Sequence, residues 1–236
     1  MSTQSPTKPI FVLLGGPNGA GKTTGALSIL PLELGIVHFL NADLIARGLS
    51  PLDPTLADFD AARIMLKRMR ELRGGKASFA VETTLASKSL VPFLRECKMA
   101  GYETRLIYVA LDNPETAIRR VATRVAKEGH DIPPETIRRR FFRGLRNFFD
   151  LYREEVDHWT LLDNSGDTLK ITAVGNESWQ FAELVQRGMT RAIKAEIAEL
   201  RRLKLPIIRS VDGKPFDFNP DTNPDAPPWS ETEPIA

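Results

Sequence analysis

The sequence predicts an α/β fold, in which helices cover both faces of a parallel sheet. Short apolar runs at residues 10–14, 36–40, 79–81 and 106–111 have the composition of buried strands. Helical spacing separates these runs, and the helix predicted at about 57–72 stops before two glycines. Strands that alternate with helices are typical of parallel sheets, because a helical crossover must connect each parallel pair.

The second half of the chain predicts a helical lid and a C-terminal appendage. Pro114 opens one helix, a second helix runs from about Pro134 to Val156, and together they define a lid at about 114–156. A fifth strand, a possible sixth strand and a long helix follow, at 159–162, 169–174 and about 177–203. We therefore assign residues 1–205 to one domain.

The chain changes character at Pro206. Val211-Asp212-Gly213-Lys214 is typical of a hairpin turn, and the proline-rich residues 219–228 lack the pattern of a helix or strand. We assign 206–236 to a hairpin and a tail that is either disordered or laid along the surface.

Composition excludes several classes of protein. A net charge of +2 over 236 residues gives no argument for nucleic acid binding, although the total can hide local clusters. The single cysteine, Cys97, excludes an internal disulfide, and we expect it to be a buried, inert thiol. The N-terminus is polar, and no apolar run could span a bilayer. These features predict a cytoplasmic protein without a membrane partner.

The most specific motif is a phosphate loop at residues 16–23, which matches Gly, four residues, then Gly-Lys-Thr. With this loop between a predicted strand and helix, the predicted fold is a P-loop NTPase-type parallel sheet covered by helices on both faces. Its glycines let several backbone N–H groups point at one anion, and the following helix adds the positive end of its dipole. We expect Lys22 to reach the β- and γ-phosphates of ATP and Thr23 to bind Mg²⁺. The expected nucleotide-binding residues are Gly16, Pro17, Asn18, Gly19, Ala20, Gly21, Lys22, Thr23 and Thr24.

The rest of the sequence favours a kinase among the proteins that share this loop. The chain has no convincing Asn-Lys-x-Asp guanine motif, and no apolar run ends in paired acids. Both absences argue against GTPases and motor ATPases. We therefore predict an ATP-dependent phosphotransferase that acts on a small molecule bearing a hydroxyl group.

Polar side chains follow the predicted strands at the edge where parallel sheets bind ligands. Asp43 is the expected general base, although an aspartate there could instead cap the next helix. Glu82 ends an apolar run, where a carboxylate is costly unless it is used, so it could bind substrate hydroxyls or a metal-bound water. We expect Asn41 and Thr83 to contact the substrate beside it, and Asp163-Asn164-Ser165 follows the fifth strand.

The predicted lid carries a basic cluster. Residues 119–146 contain eight arginines and one lysine against three acids. Helical spacing places Arg124 opposite an apolar face, and places Arg138 on the apolar side of its helix, where a plain surface arginine is unexpected. We expect both to act on the transferred phosphate. The alternative is a solvated basic face, which we expect for Arg119, Arg140, Arg143 and Arg146.

These motifs together resemble the zeta toxin family of P-loop kinases, over roughly residues 10–165. The resemblance is carried by the phosphate loop, Asn41-Ala-Asp43, Glu82-Thr-Thr-Leu, Asn113-Pro-Glu115 and Gly-His130-Asp-Ile-Pro133. Studied members phosphorylate a UDP-activated amino sugar, so the resemblance implies UDP-N-acetylglucosamine as a substrate and an antitoxin protein as a partner.

The resemblance also implies roles for single residues. Asp43 would be the base, Lys22 and Thr23 would hold phosphate and Mg²⁺, and Glu82 would contact the sugar. Arg124 best matches a lid arginine of the family. Family toxins have a further arginine where this chain has Gly129-His130-Asp131, and Arg138 would replace it.

Two other functions remain open at the level of the sequence. The basic lid would suit a polynucleotide 5′-hydroxyl kinase, whose nucleic acid binding would depend strongly on salt. A regulator that binds nucleotide without catalysis, and acts through a protein partner, would also retain the phosphate loop.

Overall fold

The computed structural model describes residues 8–126, 132–166, 168–176 and 179–226. Within them, six strands form one sheet in the order β2-β3-β1-β4-β5-β6. The first five are parallel, and β6 is antiparallel to β5. The strands are β1 (Ile10–Gly15), β2 (His38–Leu40), β3 (Phe79–Glu82), β4 (Glu103–Ala110), β5 (His158–Asp163) and β6 (Lys170–Gly175). The predicted fold class is confirmed.

Eight helices surround the sheet in the described part of the chain. They are α1 (Lys22–Glu33), α2 (Ala42–Leu49), α3 (Asp58–Gly74), α4 (Val91–Met99), α5 (Pro114–Ala126), α6 (Pro134–Asn147), α7 (Arg153–Glu155) and α8 (Trp179–Arg202). A 3₁₀ turn, Pro54–Ala57, precedes α3, and a π-helical turn, Phe148–Tyr152, joins α6 to α7. The region predicted as a lid therefore comprises α5, α6 and α7.

Strand β1 explains why the core has two halves. Phe11 and Leu13 point into the apolar cluster on one face of the sheet, and Val12 and Leu14 point into the cluster on the other. Successive side chains of a strand face opposite ways, so a strand covered on both faces must be apolar throughout. All four side chains are fully buried.

Close packing fixes α8 along α1. A Cβ atom added at Gly25 of α1 would lie 2.3 Å from Cε of Met189 in α8. One added at Gly188 would lie 2.5 Å from Cγ2 of Ile29. These small residues let the two backbones approach, and α8 therefore passes beside the helix that begins at the phosphate loop.

The C-terminal region folds back onto the domain. Strands β7 (Ile208–Val211) and β8 (Lys214–Asp217) form an antiparallel hairpin, with Asp212 and Gly213 at positive φ in the turn. Arg119 of α5 donates a hydrogen bond to the carbonyl of Pro215. We call residues 206–217 the C-terminal strap.

The residues after the strap lie along the surface as far as position 226. Asn219 is 1% exposed, and its side-chain amide donates to the carbonyl of Leu205 at 2.7 Å. Its backbone N–H donates to Asp217 at 2.9 Å. The first part of the predicted tail is therefore anchored by side-chain hydrogen bonds rather than by regular structure.

Candidate active site

The phosphate loop joins the end of β1 to the start of α1. Gly16 has a φ of 140°, and an added Cβ atom would lie 2.2 Å from the carbonyl oxygen of Val109 in β4. Gly21 has a φ of 85° at the N-cap of α1. Side chains are strained in this region of φ, so glycine lets the loop curl tightly against the sheet. The first N–H groups of α1 point into the loop that results.

Lys22 lies in the first turn of α1 and is 5% exposed. Its Nζ donates to the carbonyl of Pro17 at 2.8 Å and lies 3.7 Å from Oε1 of Glu82. Burial lowers the pKa of Lys22, Glu82 and Asp43 act in the opposite direction, and Arg124 lowers it further. Four charged side chains therefore share one electrostatic site, which sequence spacing alone could not establish.

Glu82 accepts two hydrogen bonds at the carboxyl end of β3. Oγ1 of Thr23 donates to Oε2 at 2.7 Å, and Nδ2 of Asn41 donates to the same oxygen at 2.8 Å. With Lys22 on the other carboxylate oxygen, the residues after β1, β2 and β3 meet at one point. Glu82 therefore faces the phosphate loop directly.

Asn41, not Asp43, caps helix α2. Oδ1 of Asn41 accepts from the backbone N–H of Leu44 at 3.2 Å. Asp43 is the second residue of α2, in its first turn. It is exposed and lines the same cleft as Lys22 and Glu82. The alternative that Asp43 is the helix cap is wrong, because a cap must precede the first helical residue.

Thr83 does not line the cleft, in contrast to its predicted contact with substrate. Its hydroxyl accepts from the backbone N–H of Leu85 at 3.0 Å, and its own N–H donates to the carbonyl of Leu14. Both bonds hold the turn that follows β3, so the side chain stabilises the loop. Asn41 stays close to the site through its bond to Glu82.

The two predicted lid arginines have different positions. Arg124 of α5 lines the cleft, together with Arg120 and Thr123. Arg138 of α6 does not line it. Helix α6 does pass over the loop after β3, since a Cβ atom added at Gly144 would lie 2.2 Å from the carbonyl oxygen of Thr84.

Ion pairs explain where Arg138 lies. Its Nε donates to Glu115 of α5 at 3.1 Å, and its NH1 donates to Glu135 at 2.6 Å. The prediction that Arg138 reaches the phosphate is therefore corrected. Helical spacing indicates on which side of α6 the side chain lies, but acidic neighbours outside the cleft bind its guanidinium group. Residues 127–131, including His130, lie outside the described residues.

The cleft also contains residues that the sequence did not single out. One wall consists of Ile193, Glu196, Ile197 and Leu200 from α8, and another of Pro206, Ile207, Ile208 and Arg209 from the strap. Asn164, after β5, links the strap to the phosphate loop. The only signal for it was its position after a predicted strand, and no local pattern marked Arg209.

Asn18 keeps unused hydrogen-bonding capacity inside the phosphate loop. The side chain is 6% exposed and lines the cleft, and its Oδ1 accepts no hydrogen bond from any described residue. Buried polar atoms normally have a partner. The amide is therefore suited to contact a polar ligand in the cleft.

Thr23 and Glu82 fit a magnesium ion held mainly by phosphate and water. Both offer the hard oxygen atoms that Mg²⁺ prefers. No group of three or more His, Cys, Asp or Glu side chains forms a metal site in the described ranges. One hydroxyl and one carboxylate suit this ion, because Mg²⁺ keeps several waters and binds substrate phosphates.

Comparison with known proteins decides the family. The sequence model of the zeta toxin family matches residues 55–172, half of the chain. The chain belongs to the zeta toxin family. The phosphate loop lies before the matched range, so it supports a P-loop kinase separately. This zeta toxin family member is a kinase, that is, a phosphotransferase, and the resemblance found in the sequence is confirmed.

One curated relative is similar to this zeta toxin family member in sequence, and two solved structures are similar to it in fold. An uncharacterized protein of Haemophilus influenzae is 29% identical over 126 residues, which are 53% of this chain and 88% of that protein. A structure of the PezAT toxin-antitoxin system of Streptococcus pneumoniae has a TM-score of 0.57 at 18% identity, with coverage of 85% and 89%. The AvrRxo1-ORF1:-ORF2 structure with ATP has a TM-score of 0.61 at 17% identity, covering 78% of this chain and 64% of that one.

Among the described residues of this zeta toxin family member, no helix has both the length and the apolar character needed to cross a membrane.

Proposed function

We propose that this kinase transfers the γ-phosphate of ATP to a hydroxyl group of a nucleotide sugar such as UDP-N-acetylglucosamine. The observation that carries the proposal is the cluster of Lys22, Thr23, Glu82, Asp43 and Arg124 in one cleft. A phosphate loop, a carboxylate near its lysine and an arginine are the recurring parts of phosphoryl transfer sites.

Asp43 is the proposed base. Its carboxylate is exposed in the cleft and interacts electrostatically with Lys22, whose ammonium would hold the γ-phosphate. The acceptor oxygen bonds to the γ-phosphorus, the bond from that phosphorus to the β–γ bridging oxygen breaks, and ADP leaves. The acceptor proton passes to Asp43, which is the role of a carboxylate in such sites.

Lys22 and Arg124 supply positive charge where the transition state is negative. Lys22 is bound by Pro17 and Glu82, and it can turn from the loop carbonyl to phosphate oxygens without leaving the loop. Arg124 lines the cleft from α5. A Mg²⁺ ion held through Thr23 and Glu82 would supply further charge neutralisation for the phosphates.

Glu82 has two candidate roles, and the hydrogen bonds favour one. The family resemblance implies a contact with the sugar, whereas Glu82 accepts from Thr23 and lies 3.7 Å from Lys22, both in the first turn after the phosphate loop. Its other donor, Asn41, is the cap of α2. A carboxylate that accepts from Thr23 orients its hydroxyl oxygen for a metal ion. We therefore propose that Glu82 acts first on the metal and its water, and that Asn41 keeps it in place.

The test is transfer of label from γ-labelled ATP to a panel of acceptors: UDP-N-acetylglucosamine, other nucleotide sugars, small alcohols and oligonucleotides. We expect a labelled nucleotide sugar, and its loss in Lys22→Ala. Arg139→Ala is the matched control, because Arg139 is an exposed cation on α6. Label in oligonucleotides alone would replace the proposal with a polynucleotide kinase, and ATP binding without transfer to any acceptor would favour the regulator.

An antitoxin partner is proposed from the similarity to the PezAT toxin-antitoxin structure. If the kinase consumes an essential precursor, induced expression in a bacterial host should stop growth. Expression of Asp43→Asn should not, because that variant lacks the proposed base. Equal growth arrest by the wild type and by Asp43→Asn would show that the toxicity does not depend on phosphate transfer.

A further inference from the structure

We infer that the C-terminal strap forms the wall of the nucleotide site that receives the base, and that Arg209 positions this wall against the phosphate loop. The inference rests on the proposed function, in which ATP lies along residues 16–24. It assigns the nucleoside of ATP to the cleft between α8 and the strap.

The position of the phosphates determines how ATP lies in the cleft. Lys22 and Thr23 fix the position of the β- and γ-phosphates, and Asp43 and Glu82 lie beside them. The rest of the nucleotide must therefore extend along the remaining length of the cleft. That length is bounded by the strap and by α8.

The walls at that end are mainly apolar. Ile193, Ile197 and Leu200 of α8 line this part of the cleft together with Ile207 and Ile208 of the strap, and Glu196 and Arg209 are the charged residues among them. A flat aromatic base gains free energy by leaving water for such surfaces, whereas phosphate does not. Binding sites for small molecules typically combine apolar walls with a few placed polar groups.

Hydrogen bonds fasten the strap to the site. NH1 of Arg209, which is 6% exposed, donates to Oδ1 of Asn164 at 3.2 Å, and Nδ2 of Asn164 donates to the carbonyl of Ala20 in the phosphate loop at 3.0 Å. Arg120 of α5 donates through Nε to the carbonyl of Ile208 at 2.8 Å. A single chain of bonds thus connects the strap to the loop.

Two further contacts hold the next strap residue. The backbone N–H of Ser210 donates to the carbonyl of Ser165 at 2.9 Å, and its hydroxyl donates to Asp112. Ser165 follows β5, and Asp112 follows β4. The strap is therefore attached to the carboxyl ends of two strands of the main sheet, the edge at which such folds bind ligands.

Charge supports the same assignment. The pKa of Arg120 is lowered to about 9, mainly by desolvation and also by the neighbouring charge of Arg209, while Asp112 and Asp163 act in the opposite direction. Two neighbouring guanidinium groups in a desolvated place repel each other, a cost that Asp112 and Asp163 offset in part. An anionic group of the nucleotide, such as its α-phosphate, would offset that cost.

The experiment compares ATP with inorganic tripolyphosphate, each with Mg²⁺, by calorimetric titration of the full chain. Tripolyphosphate uses the phosphate loop but has no base. We expect the wild type to bind ATP at least about tenfold more tightly than tripolyphosphate, because only ATP has a nucleoside that can contact α8 and the strap. Arg209→Ala should lose most of that preference while binding tripolyphosphate within about threefold of the wild type. Lys22→Ala should lose both ligands.

Two variants protect the test against misfolding. Leu200→Ala lies on α8, outside the hydrogen bonds of the strap, and should lower the ATP preference with thermal unfolding close to that of the wild type. Arg139→Ala is the surface arginine control and should match the wild type. Wild-type preference for ATP in both Arg209→Ala and Leu200→Ala would overturn the inference, even if ATP binds well. Absence of ATP binding by the wild type would instead overturn the proposed function.

Discussion

The hydroxyl of Thr23 donates its hydrogen to the carboxylate of Glu82 across 2.7 Å, joining the first turn of α1 to the end of β3. The hydroxyl has one hydrogen and two lone pairs, so giving the hydrogen to Glu82 leaves both lone pairs available. A hydroxyl oriented in this way is prepared to bind a cation. The contact therefore explains why an acid at the end of an apolar strand is tolerated.

Glu82→Gln should raise the Mg²⁺ concentration needed for half-maximal transfer. The amide keeps the shape of the carboxylate but removes its negative charge. In the proposed site that charge binds the water on the metal ion and balances the positive charge of Lys22. Loss of an outer-shell partner of a metal typically costs about 10- to 100-fold in affinity or activity. The measurement is a Mg²⁺ titration of transfer at saturating ATP. An unchanged Mg²⁺ requirement with a raised KM for the acceptor would return Glu82 to the sugar-binding role.

Arg124→Ala should lower kcat more than it weakens ATP binding. An arginine that stabilises a phosphoryl transition state can contribute on the order of 10³-fold or more. Arg138→Ala is the matched control, because its guanidinium is held by Glu115 and Glu135 on the surface. Solvent screens these exposed pairs, and Arg138 does not line the cleft, so kcat should stay near that of the wild type. A large loss of kcat in Arg138→Ala would show that α6 turns this arginine into the cleft during turnover.

The contrast between these arginines shows how far the sequence could predict the site. The phosphate loop was predictable because its residues are contiguous and its backbone shape needs glycines at fixed positions. Arg138 was not, because helical spacing assigns a side of its own helix and says nothing about Glu115 in another helix. The contacts of the strap were also unpredictable, since Asn164 and Ala20 are 144 positions apart.

The fold was more predictable than the site. Apolar runs alternating with helical spacing follow from burial of parallel strands on both faces, which is a local property of β1 and its neighbours. The cap of α2 shows that the sequence predicts single residue roles less well than it predicts elements, since both Asn41 and Asp43 have side chains suited to a cap. Only the observed start of the helix at Ala42 assigns the cap to Asn41.

Asp157→Asn should lower the free energy of unfolding at neutral pH. Asp157 accepts from the backbone N–H and the hydroxyl of Thr104, both at 2.8 Å, and pairs with Lys98 at 3.0 Å. Burial alone would raise its pKa, but the bonds from Thr104 and Lys98 outweigh burial, and the net pKa is lowered. Since the side chain is 34% exposed, we expect a discounted loss of about 1 kcal/mol.

The pH dependence of this loss follows from the lowered pKa. Stability from the Asp157 carboxylate is fully present above the unfolded pKa of about 3.9, and it is lost as the pH falls through the lower folded pKa. Urea unfolding at pH 7, 5 and 3 should therefore show a gap between wild type and variant at the two higher values, and a smaller gap at pH 3. Asp225→Asn, an exposed change outside any helix or strand, is the control. An equal gap at all three values would contradict a charge-based contribution.

Asp43→Asn should stop phosphate transfer while leaving folding and ATP binding intact. The loss should reach about 10²-fold or more, the usual scale of general-base catalysis. The fold should tolerate the change because Asn41 caps α2, and the charge of Asp43 in the first turn contributes only about 0.3 to 1 kcal/mol through the helix dipole. ATP should bind as well or slightly more tightly, since a carboxylate near the γ-phosphate repels it. Titration of ATP binding and a transfer assay on one preparation measure both effects.

Asn41→Ala provides the opposite pattern and tests the same assignment. Loss of the cap should destabilise the protein by about 1 kcal/mol, because the N–H of Leu44 loses its acceptor. Glu82 also loses one of its two donors, so transfer should fall moderately rather than cease. If Asp43→Asn destabilises the fold as Asn41→Ala does and keeps its transfer rate, Asp43 is structural and Glu82 becomes the next candidate base. If Asp43→Asn is stable and inactive, the two residues have separate roles, because the helix needs the amide while the reaction needs the carboxylate.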